Sequence, residues 1–284
     1  MTSKDGQSPS TAAQMLAAAA ALGVERLDAQ LLLLHVLGRP SGDRAWLLAH
    51  DTDILPDAVW PPFAGLCARR VAGEPVAYLV GQKEFYGLGL QVDARVLVPR
   101  PDTETLVAWA LQCLQGRTSP VVLDLGTGSG AIALAIQHAR PDAKVTAVDR
   151  SAGALAVARA NAKHLGLAVR FAEADWLEGA DTDLDLVVSN PPYVAAGDPH
   201  LTALRHEPLG ALVSGADGLD DIRRIVEAAP AHLRVGGWLL LEHGHDQAAS
   251  VRALLARHGF AEVQSRDDLA GIARCSGGIW RTVK

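Results

Sequence analysis

Three features are scarce in this 284-residue sequence: cysteine, long apolar runs and an excess of positive charge. Its three cysteines, Cys67, Cys113 and Cys275, lie far apart and lack the spacing of metal ligands, so we expect reduced structural thiols and no metal. No apolar run reaches the ~20 residues that a membrane-spanning helix requires, which argues against a membrane partner. The 26 Lys and Arg residues against 32 Asp and Glu residues give a net charge of −6, so we expect no nucleic-acid partner.

The beginning of the chain contains an apolar stretch, Met15–Gly23, with the composition of the apolar part of a secretion signal. Lys4 is the one basic residue that precedes it, and its Ala and Leu spacing continues helically into Arg26. We therefore interpret this stretch as part of a helix and expect a cytoplasmic protein.

The sequence pattern changes twice, which predicts two domains joined by a linker. Ala and Leu recur at helical spacing over residues 1–72, the pattern of a small domain with four or five helices. Residues 73–100 contain the aromatic, Gly-punctuated stretch Glu84–Val92 and the short run Val96–Val98, which we interpret as a β-hairpin linker. Over residues 101–284, short apolar runs alternate with helical segments, which is typical of βαβ units around a parallel sheet.

Seven strands and five helices are predicted in this α/β region. The strands are expected at Val121–Leu125, Lys144–Asp149, Ala168–Glu173, Leu184–Asn190, Gly237–Glu242, Ala261–Ser265 and Gly278–Thr282. The helices are expected at Asp102–Gln115, Gly130–Ala139, Ala152–Leu165, Gly218–Leu233 and Asp246–His258.

A glycine-rich loop follows the first of these strands, in the sequence V-V-L-D-L-G-T-G-S-G. Glycines let the backbone approach a ligand closely, and the next helix presents free N–H groups, although such loops also serve as ordinary tight turns. The G-x-G-x-G spacing and the acid inside the strand end favour a methionine and a ribose over a dinucleotide pyrophosphate. The predicted cofactor contacts in this motif are Asp124, Gly126, Thr127, Gly128, Ser129 and Gly130.

Acidic residues also lie at the ends of the next two strands. Asp149 is placed to accept hydrogen bonds from both ribose hydroxyls of an adenosine cofactor, or else to cap the helix that follows Ser151. Asp175 is placed to accept from an adenine amino group and the Trp176 backbone N–H to donate to the ring, unless Trp176 caps the core and Asp175 is solvated. Together with the glycine loop, these residues favour an adenosine site.

The fourth motif, Asn190-Pro191-Pro192-Tyr193, ends the fourth predicted strand, because proline cannot donate to a sheet ladder. The Asn190 amide and the Tyr193 ring are therefore expected at the carboxyl end of a strand, where ligands bind in open α/β sheets. The order of the four motifs resembles that of class I S-adenosylmethionine methyltransferases that act on planar amino groups. These include adenine-N6, guanine-N2 and glutamine-N5 enzymes.

The remaining sequence narrows this resemblance to one family. It resembles the protein-(glutamine-N5) methyltransferases of peptide-chain release factors, the HemK or PrmC family, from about Leu27 to about Phe260. The segments that carry the resemblance are Asp28–Gly38, Gly73–Leu79, Glu84–Tyr86, Val98–Glu104, Glu207–Pro208 and Ala211–Leu212.

This resemblance implies a Rossmann-like, seven-stranded class I methyltransferase domain preceded by a small helical domain and a β-hairpin linker. It implies S-adenosyl-L-methionine as the cofactor and class I release factors as partners, and we expect a monomer. The glutamine of the Gly-Gly-Gln loop would be methylated on N5, which modulates translation termination. Asn190, Pro191 and Tyr193 would be catalytic, and the substrate-binding residues would be Asn190, Pro191, Pro192 and Tyr193, with Asn190 also contacting the cofactor.

Other functions account for fewer of these features. A nucleic-acid amino-methyltransferase should carry a basic recognition region, and a nicotinamide oxidoreductase requires a different glycine spacing. If the protein only bound adenosine, the Asn190–Tyr193 motif would have no chemical function. Glu242-His243-Gly244-His245 lacks a third defined metal ligand. Arg100 and Glu104 are candidates to line the pocket, but Pro101–Glu104 is also a good helix start, and we favour that interpretation.

Overall fold

The computed structural model describes residues 9–281 of the chain. Lys4 and Thr282, which appear in the predictions above, lie outside the described residues. The chain divides into two compact units, Met1–Gln82 and Lys83–Lys284, and each is described by itself. Within residues 9–281, no helix is both long enough and apolar enough to span a membrane.

The first unit is helical, as the Ala and Leu spacing predicts. Its α-helices are α1 (Ala12–Ala21), α2 (Arg26–Val36), α3 (Arg44–Ala49), α4 (Trp60–Val71) and α5 (Val76–Val80), with a 3₁₀ turn at Asp57–Val59. Helix α1 begins with a capping box, in which the side chains of Thr11 and Gln14 each accept from the other's backbone N–H. Met15, Leu32 and Phe63 are fully buried, so this unit has a core of its own.

The predicted β-hairpin is present but shorter than expected. Strands β1 (Gln82–Phe85) and β2 (Leu88–Gln91) are joined at Tyr86 and Gly87, whose φ angles of 51° and 78° are those that a tight hairpin turn requires. The interpretation of Val96–Val98 as a strand is wrong. The Val98 N–H donates to the Glu207 side chain at 3.0 Å, so this segment is held by a side chain and not by a neighbouring strand.

The second unit contains the predicted seven-stranded sheet, in the order β5-β4-β3-β6-β7-β9-β8. Strands β3, β4, β5, β6 and β7 pair in parallel, whereas β9 pairs antiparallel with both β7 and β8. The strands are β3 (Val121–Leu125), β4 (Lys144–Asp149), β5 (Arg170–Glu173), β6 (Leu184–Ser189), β7 (Leu233–Glu242), β8 (Phe260–Asp267) and β9 (Ala273–Trp280). The chain order reverses between β3 and β6, and a crevice forms at the carboxyl ends of such strands.

Helices cover both faces of this sheet. They are α6 (Thr103–Cys113), α7 (Ala131–Ala139), α8 (Ala152–Leu165), α9 (Asp220–Ala228) and α10 (Ala248–Arg257). Alternate residues of each strand point to opposite faces. Val122 accordingly packs in the core that contains α6 and α7, whereas Leu123 packs in the core that contains α9 and α10. Strand β6 is the fourth of the seven strands in this order, and all six of its residues are buried. Its carboxyl end therefore lies near the centre of the sheet.

One predicted helix end is wrong. The segment Gly218–Leu233 was expected to be helical throughout, but α9 ends at Ala228 and a 3₁₀ turn follows at Ala229–Ala231. Pro230 lies in this turn and cannot continue an α-helix, and Leu233 instead pairs with Leu184 as the first residue of β7.

Candidate active site

A cavity of about 270 Å³ lies at the carboxyl ends of the parallel strands in the second unit. Its walls come from the segment that precedes α6, the glycine loop after β3, the ends of β4 and β5, and the segment after β6. Nine of the predicted site residues line it: Gly126, Thr127, Gly128, Ser129, Asp149, Asp175, Trp176, Asn190 and Pro192. Four others, Asp124, Gly130, Pro191 and Tyr193, are not part of its lining.

The glycine loop needs glycine for two different reasons. Gly126, Gly128 and Gly130 all have positive φ angles, of 67°, 55° and 86°, which side chains disfavour. A Cβ on Gly128 would meet no atom within 4 Å, so its backbone is open to a ligand. A Cβ on Gly130 would come within 3.0 Å of the Leu134 side chain and 3.3 Å of Ala158, so this glycine permits close helix packing behind the cavity.

Asp124 supports the glycine loop from below. The side chain is fully buried, and its Oδ2 accepts from the Thr127 hydroxyl at 2.6 Å and from the Ala133 N–H at 3.2 Å. Its Oδ1 has no hydrogen-bond partner in the described part of the chain. Burial raises the pKa of Asp124 to about 7, although both hydrogen bonds oppose the shift. Asp124 therefore stabilises the glycine loop through these hydrogen bonds and does not line the cavity.

Asp149 lines the cavity and accepts two backbone hydrogen bonds, but it is not the cap of the helix that follows. Its Oδ2 accepts from the Gly128 N–H at 2.9 Å and its Oδ1 accepts from the Ser151 N–H at 2.8 Å. The helix cap itself is Ser151, whose side chain accepts from the Ala154 N–H. Asp149 thus fixes the loop while it lines the cavity, and each of its oxygens retains a further acceptor site.

Trp176 lines the cavity and contacts the glycine loop. Its φ of 54° is rare for a bulky residue, and its indole N–H donates to Asp221 at 3.1 Å. A Cβ on Gly126 would lie 3.2 Å from the Trp176 ring, so the two residues are in close contact. Asp175 is partly exposed and pairs with Arg224 at 2.6 Å.

Asn190 lies at the end of β6 with its amide orientation set. Its Nδ2 donates to the Thr103 hydroxyl at 3.2 Å, which leaves Oδ1 as the acceptor atom of this amide. Pro191 and Pro192 are buried and stiffen the segment that follows. An acceptor oxygen at the cavity wall is therefore available to a donor ligand.

Sequence comparisons identify the family. Two family models match the chain: the PrmC N-terminal domain over residues 10–81 and the methyltransferase small domain over residues 103–207. The release factor glutamine methyltransferase of Bordetella pertussis is 54% identical to this chain over 260 residues, covering 90% of this chain and 95% of that protein. The chain belongs to the release factor glutamine methyltransferase family. The relative of the same name from Burkholderia pseudomallei is 50% identical, covering 95% of this chain and 96% of that protein.

Two solved structures are also similar to this member of the release factor glutamine methyltransferase family. A release-factor-specific protein-(glutamine-N5) methyltransferase from Alicyclobacillus acidocaldarius is 32% identical, with 68% of this chain and 100% of that chain covered and a TM-score of 0.43. A methyltransferase from Pyrococcus furiosus is 20% identical with a TM-score of 0.52, covering 78% of this chain and 100% of that chain. The second likeness shows the fold, and the predicted class I methyltransferase fold is confirmed.

Tyr193 is half-buried in this member of the release factor glutamine methyltransferase family and does not line the cavity. Its phenol donates to Glu242 Oε1 at 3.4 Å, and its backbone carbonyl accepts from the Gln247 side chain at 3.0 Å. Burial, with the nearby Glu242 carboxylate, raises the pKa of Tyr193 well above its ordinary value. The phenol is therefore a hydrogen-bond donor at neutral pH.

Two long-range contacts that the sequence did not reveal involve residues that line the cavity. The buried Glu207 carboxylate accepts from Arg100 and from the Val98 N–H. The Arg150 guanidinium donates to the Gly210 carbonyl at 3.0 Å. Arg100 also lines the cavity, although the helix-start interpretation had set it aside. The unusual P-R-P string was the one sequence signal for this contact.

His243 lies inside the fold. Its Nδ1 is 2.9 Å from the Gly244 carbonyl oxygen and its Nε2 is 2.8 Å from the Ser276 hydroxyl. Within residues 9–281, no group of three or more His, Cys, Asp or Glu residues is arranged to hold a metal ion.

Proposed function

We propose that this protein transfers a methyl group to the side-chain amide nitrogen, N5, of the glutamine in the Gly-Gly-Gln loop of class I peptide-chain release factors. Its membership of the release factor glutamine methyltransferase family supports this reaction. The observation that carries the proposal is the Asn190 amide, which Thr103 holds so that an acceptor oxygen remains at the cavity wall. A planar amide with two N–H donors is complementary to such an acceptor.

The cavity has the chemistry that S-adenosyl-L-methionine requires. The open backbone at Gly128 suits the methionine part, the Asp149 carboxylate suits the ribose hydroxyls, and the Trp176 wall with Asp175 suits the adenine. Ser129 and Thr127 add polar groups at the start of α7. When bound, this cofactor supplies an electrophilic methyl group.

The protein must make a poor nucleophile reactive. The lone pair of an amide nitrogen is delocalised, and an amide rotation barrier of about 18–20 kcal/mol indicates how strong this resonance is. As the nitrogen bonds to carbon it loses planarity and gains positive charge, so acceptors for its two N–H groups bind the transition state better than the ground state. Asn190 Oδ1 and the Pro191 carbonyl would provide these acceptors.

The rigidity of the Asn190–Tyr193 motif would lower the activation barrier further. Tyr193 would lie against the flat glutamine amide, while Pro191 and Pro192 restrict the backbone that carries these groups. Two charge-assisted hydrogen bonds are worth about 1.5–3 kcal/mol each, and fixed orientation is worth about 7–11 kcal/mol. The methylated amide can lose its proton to water, so the reaction requires no general base.

The helical first unit would dock the release factor, because a narrow cavity alone cannot select one glutamine among many. We assign residues 1–72 this role, with residues 73–100 as the linker and 101–284 as the catalytic domain. We further propose a monomer in the cytoplasm, where release factors act.

Transfer of a labelled methyl group tests the function directly. Purified protein and S-adenosylmethionine with a tritiated methyl group should label a class I release factor, and a release factor with the Gly-Gly-Gln glutamine replaced by alanine should stay unlabelled. DNA and RNA serve as alternative acceptors in parallel. Labelling of nucleic acid in place of the release factor would refute the proposal.

A further inference from the structure

The segment Glu242–Gln247, which begins with the last residue of β7, contacts both the side chain and the backbone of Tyr193. The Tyr193 phenol donates to Glu242 Oε1 at 3.4 Å, while Gln247 Nε2 donates to the Tyr193 carbonyl at 3.0 Å. Gln247 Nε2 also donates to the Asp217 carbonyl at 3.2 Å. The space is tight, because a Cβ on Gly218 would lie 2.2 Å from the Tyr193 carbonyl oxygen. Ring and backbone of Tyr193 are thus fixed together.

Glu242 is an unusual choice for this position. The residue is 1% exposed, and its Oε2 has no hydrogen-bond partner in the described part of the chain. Burial of a carboxylate with one oxygen left without a partner is unfavourable, whereas an apolar side chain such as leucine would avoid this desolvation cost. A role that depends on the carboxylate explains its presence.

The charged surroundings of Glu242 come from three elements. Asp102, which precedes α6, raises the pKa of Glu242, whereas Arg274 on β9 lowers it. Tyr193 faces it from the segment after β6, and Cys275 is its register partner on β9. Burial is the largest effect and raises the pKa of Glu242 to about 7.

Thr103 contacts Asn190, the first residue of the Asn190–Tyr193 motif, and affects the pKa of Glu242. Its hydroxyl accepts from Asn190 Nδ2 at 3.2 Å, and hydrogen bonding from its side chain lowers the pKa of Glu242. A hydroxyl proton that points to the carboxylate leaves the oxygen lone pairs for the Asn190 N–H.

A one-directional series of hydrogen bonds makes the segment rigid. The Gly244 carbonyl can only accept, so in a neutral His243 the proton is on Nδ1 and Nε2 accepts from Ser276. Ser276 then accepts from Ser265, which accepts from Arg252. His243 Nδ1–H then donates to the Gly244 carbonyl, and the Gly244 N–H donates to Gln247 Oε1 at 2.8 Å. Burial lowers the pKa of His243, so the neutral imidazole that this series requires is the favoured form.

We propose that Glu242 is a positioning residue that, as a carboxylate, orients the Tyr193 ring directly, with Gln247 fixing Tyr193 from its other end. This inference rests on the proposed glutamine methylation. Glu242 itself does not line the cavity and acts through its neighbours.

Kinetics of Glu242→Gln test this role, with the exposed Glu227→Gln as the matched control. Glutamine keeps the shape but replaces a charged acceptor by a neutral one, so kcat should fall about 10-fold, while KM for the release factor and cofactor affinity stay within about 2-fold. In the wild type kcat should rise as Glu242 ionises with increasing pH through about 7, and Glu242→Gln should lack this inflection. Asp124 also has a pKa near 7, which makes the comparison with the variant essential.

A double-mutant cycle and a spectroscopic readout complete the test. If Glu242 acts through the phenol, the losses in kcat of Glu242→Gln and Tyr193→Phe should be less than additive. With the chain's three tyrosines labelled with ¹³C at Cζ, the Tyr193 resonance, assigned by Tyr193→Phe, should shift with pH near 7 in the wild type and not in Glu242→Gln. This readout requires neither cofactor nor release factor.

Each result then decides one question. A wild-type kcat and pH profile in Glu242→Gln, fully additive losses, or a loss of cofactor affinity that matches the loss in kcat would overturn the positioning role. If Glu242→Gln does not fold by circular dichroism, Gln247→Ala replaces it, and an unchanged kcat in that variant is equally decisive against the role. A wild-type protein that never labels the release factor refutes the proposed function instead, and the Tyr193 titration still tests the contact.

Discussion

The side-chain amide of Asn190 donates a hydrogen bond of 3.2 Å to the hydroxyl of Thr103, a residue 87 positions earlier in the chain. The bond joins the carboxyl end of β6 to the first turn of α6. Because Nδ2 is committed to Thr103, Oδ1 is the atom of this amide that remains for a ligand. Thr103 is itself buried and lines the cavity, so one hydroxyl decides the orientation of the proposed catalytic group.

Thr103→Val should therefore slow catalysis without a comparable effect on cofactor binding. Valine has nearly the same shape but no hydroxyl, so the Asn190 amide can rotate, and kcat should fall about 10-fold for the loss of one hydrogen bond. Thr103→Ser keeps the hydroxyl and serves as the control, with kcat close to the wild type. Steady-state kinetics on a release factor measure both, and equal activity of the two variants would contradict the prediction.

Asn190→Ala should have the largest effect on kcat. If the hydrogen bond to Asn190 Oδ1 strengthens as the glutamine nitrogen becomes cationic, its loss should lower kcat by ~10²–10³-fold, by analogy with the removal of one oxyanion-hole donor. Cofactor affinity, measured by calorimetry, should change far less. An Asn190→Ala protein that methylates a release factor at the wild-type rate would exclude the mechanism, even though the family assignment would stand.

Asp149→Ala should weaken cofactor binding. The ribose hydroxyls would lose charged acceptors worth about 1.5–3 kcal/mol per bond. The Gly128 N–H would also lose its acceptor. The glycine loop would then be less well ordered, which should weaken cofactor binding further. Isothermal titration calorimetry with S-adenosylmethionine measures the change, with Glu227→Ala on the exposed side of α9 as the control. Unchanged affinity would remove Asp149 from the site.

The buried Asp124 predicts a pH-dependent stability difference. Its pKa is raised from 3.8 to about 7 in the folded protein, so the wild type loses stability as pH rises through this window. Asp124→Asn does not ionise and should gain stability relative to the wild type between pH 5 and pH 8, by at most about 3 kcal/mol at ~1.4 kcal/mol per pKa unit. Urea unfolding at both pH values measures the difference, and an equal difference at the two would contradict the raised pKa.

Deletion of residues 1–81 tests the docking role of the helical unit. Cofactor affinity of the remaining protein should be nearly unchanged, because every residue that lines the cavity lies between Arg95 and Ala211. Methylation of the folded release factor should collapse, since docking contacts are lost. Full activity of the truncated protein on that substrate would show that docking does not require this unit.

The sequence by itself determined where the structural elements and motifs lie. The strand β4 and the helix α8 have the predicted bounds, because the alternation of short apolar runs with helical periods is a local property of the chain. Glycine and proline marked the loops for equally local reasons, at Gly126 and after Asn190. The roles proposed for these residues remain predictions.

Only the tertiary structure decided which side chains meet. The contacts of Asn190 with Thr103, Tyr193 with Glu242 and Arg100 with Glu207 join residues 87, 49 and 107 positions apart. Nothing in the local sequence distinguishes Glu242 from a solvated acid at a strand end, and the apolar run Val96–Val98 resembles a strand until Glu207 binds its backbone. Such pairings depend on the strand order, which is set by how the whole sheet buries its two faces and not by any single segment.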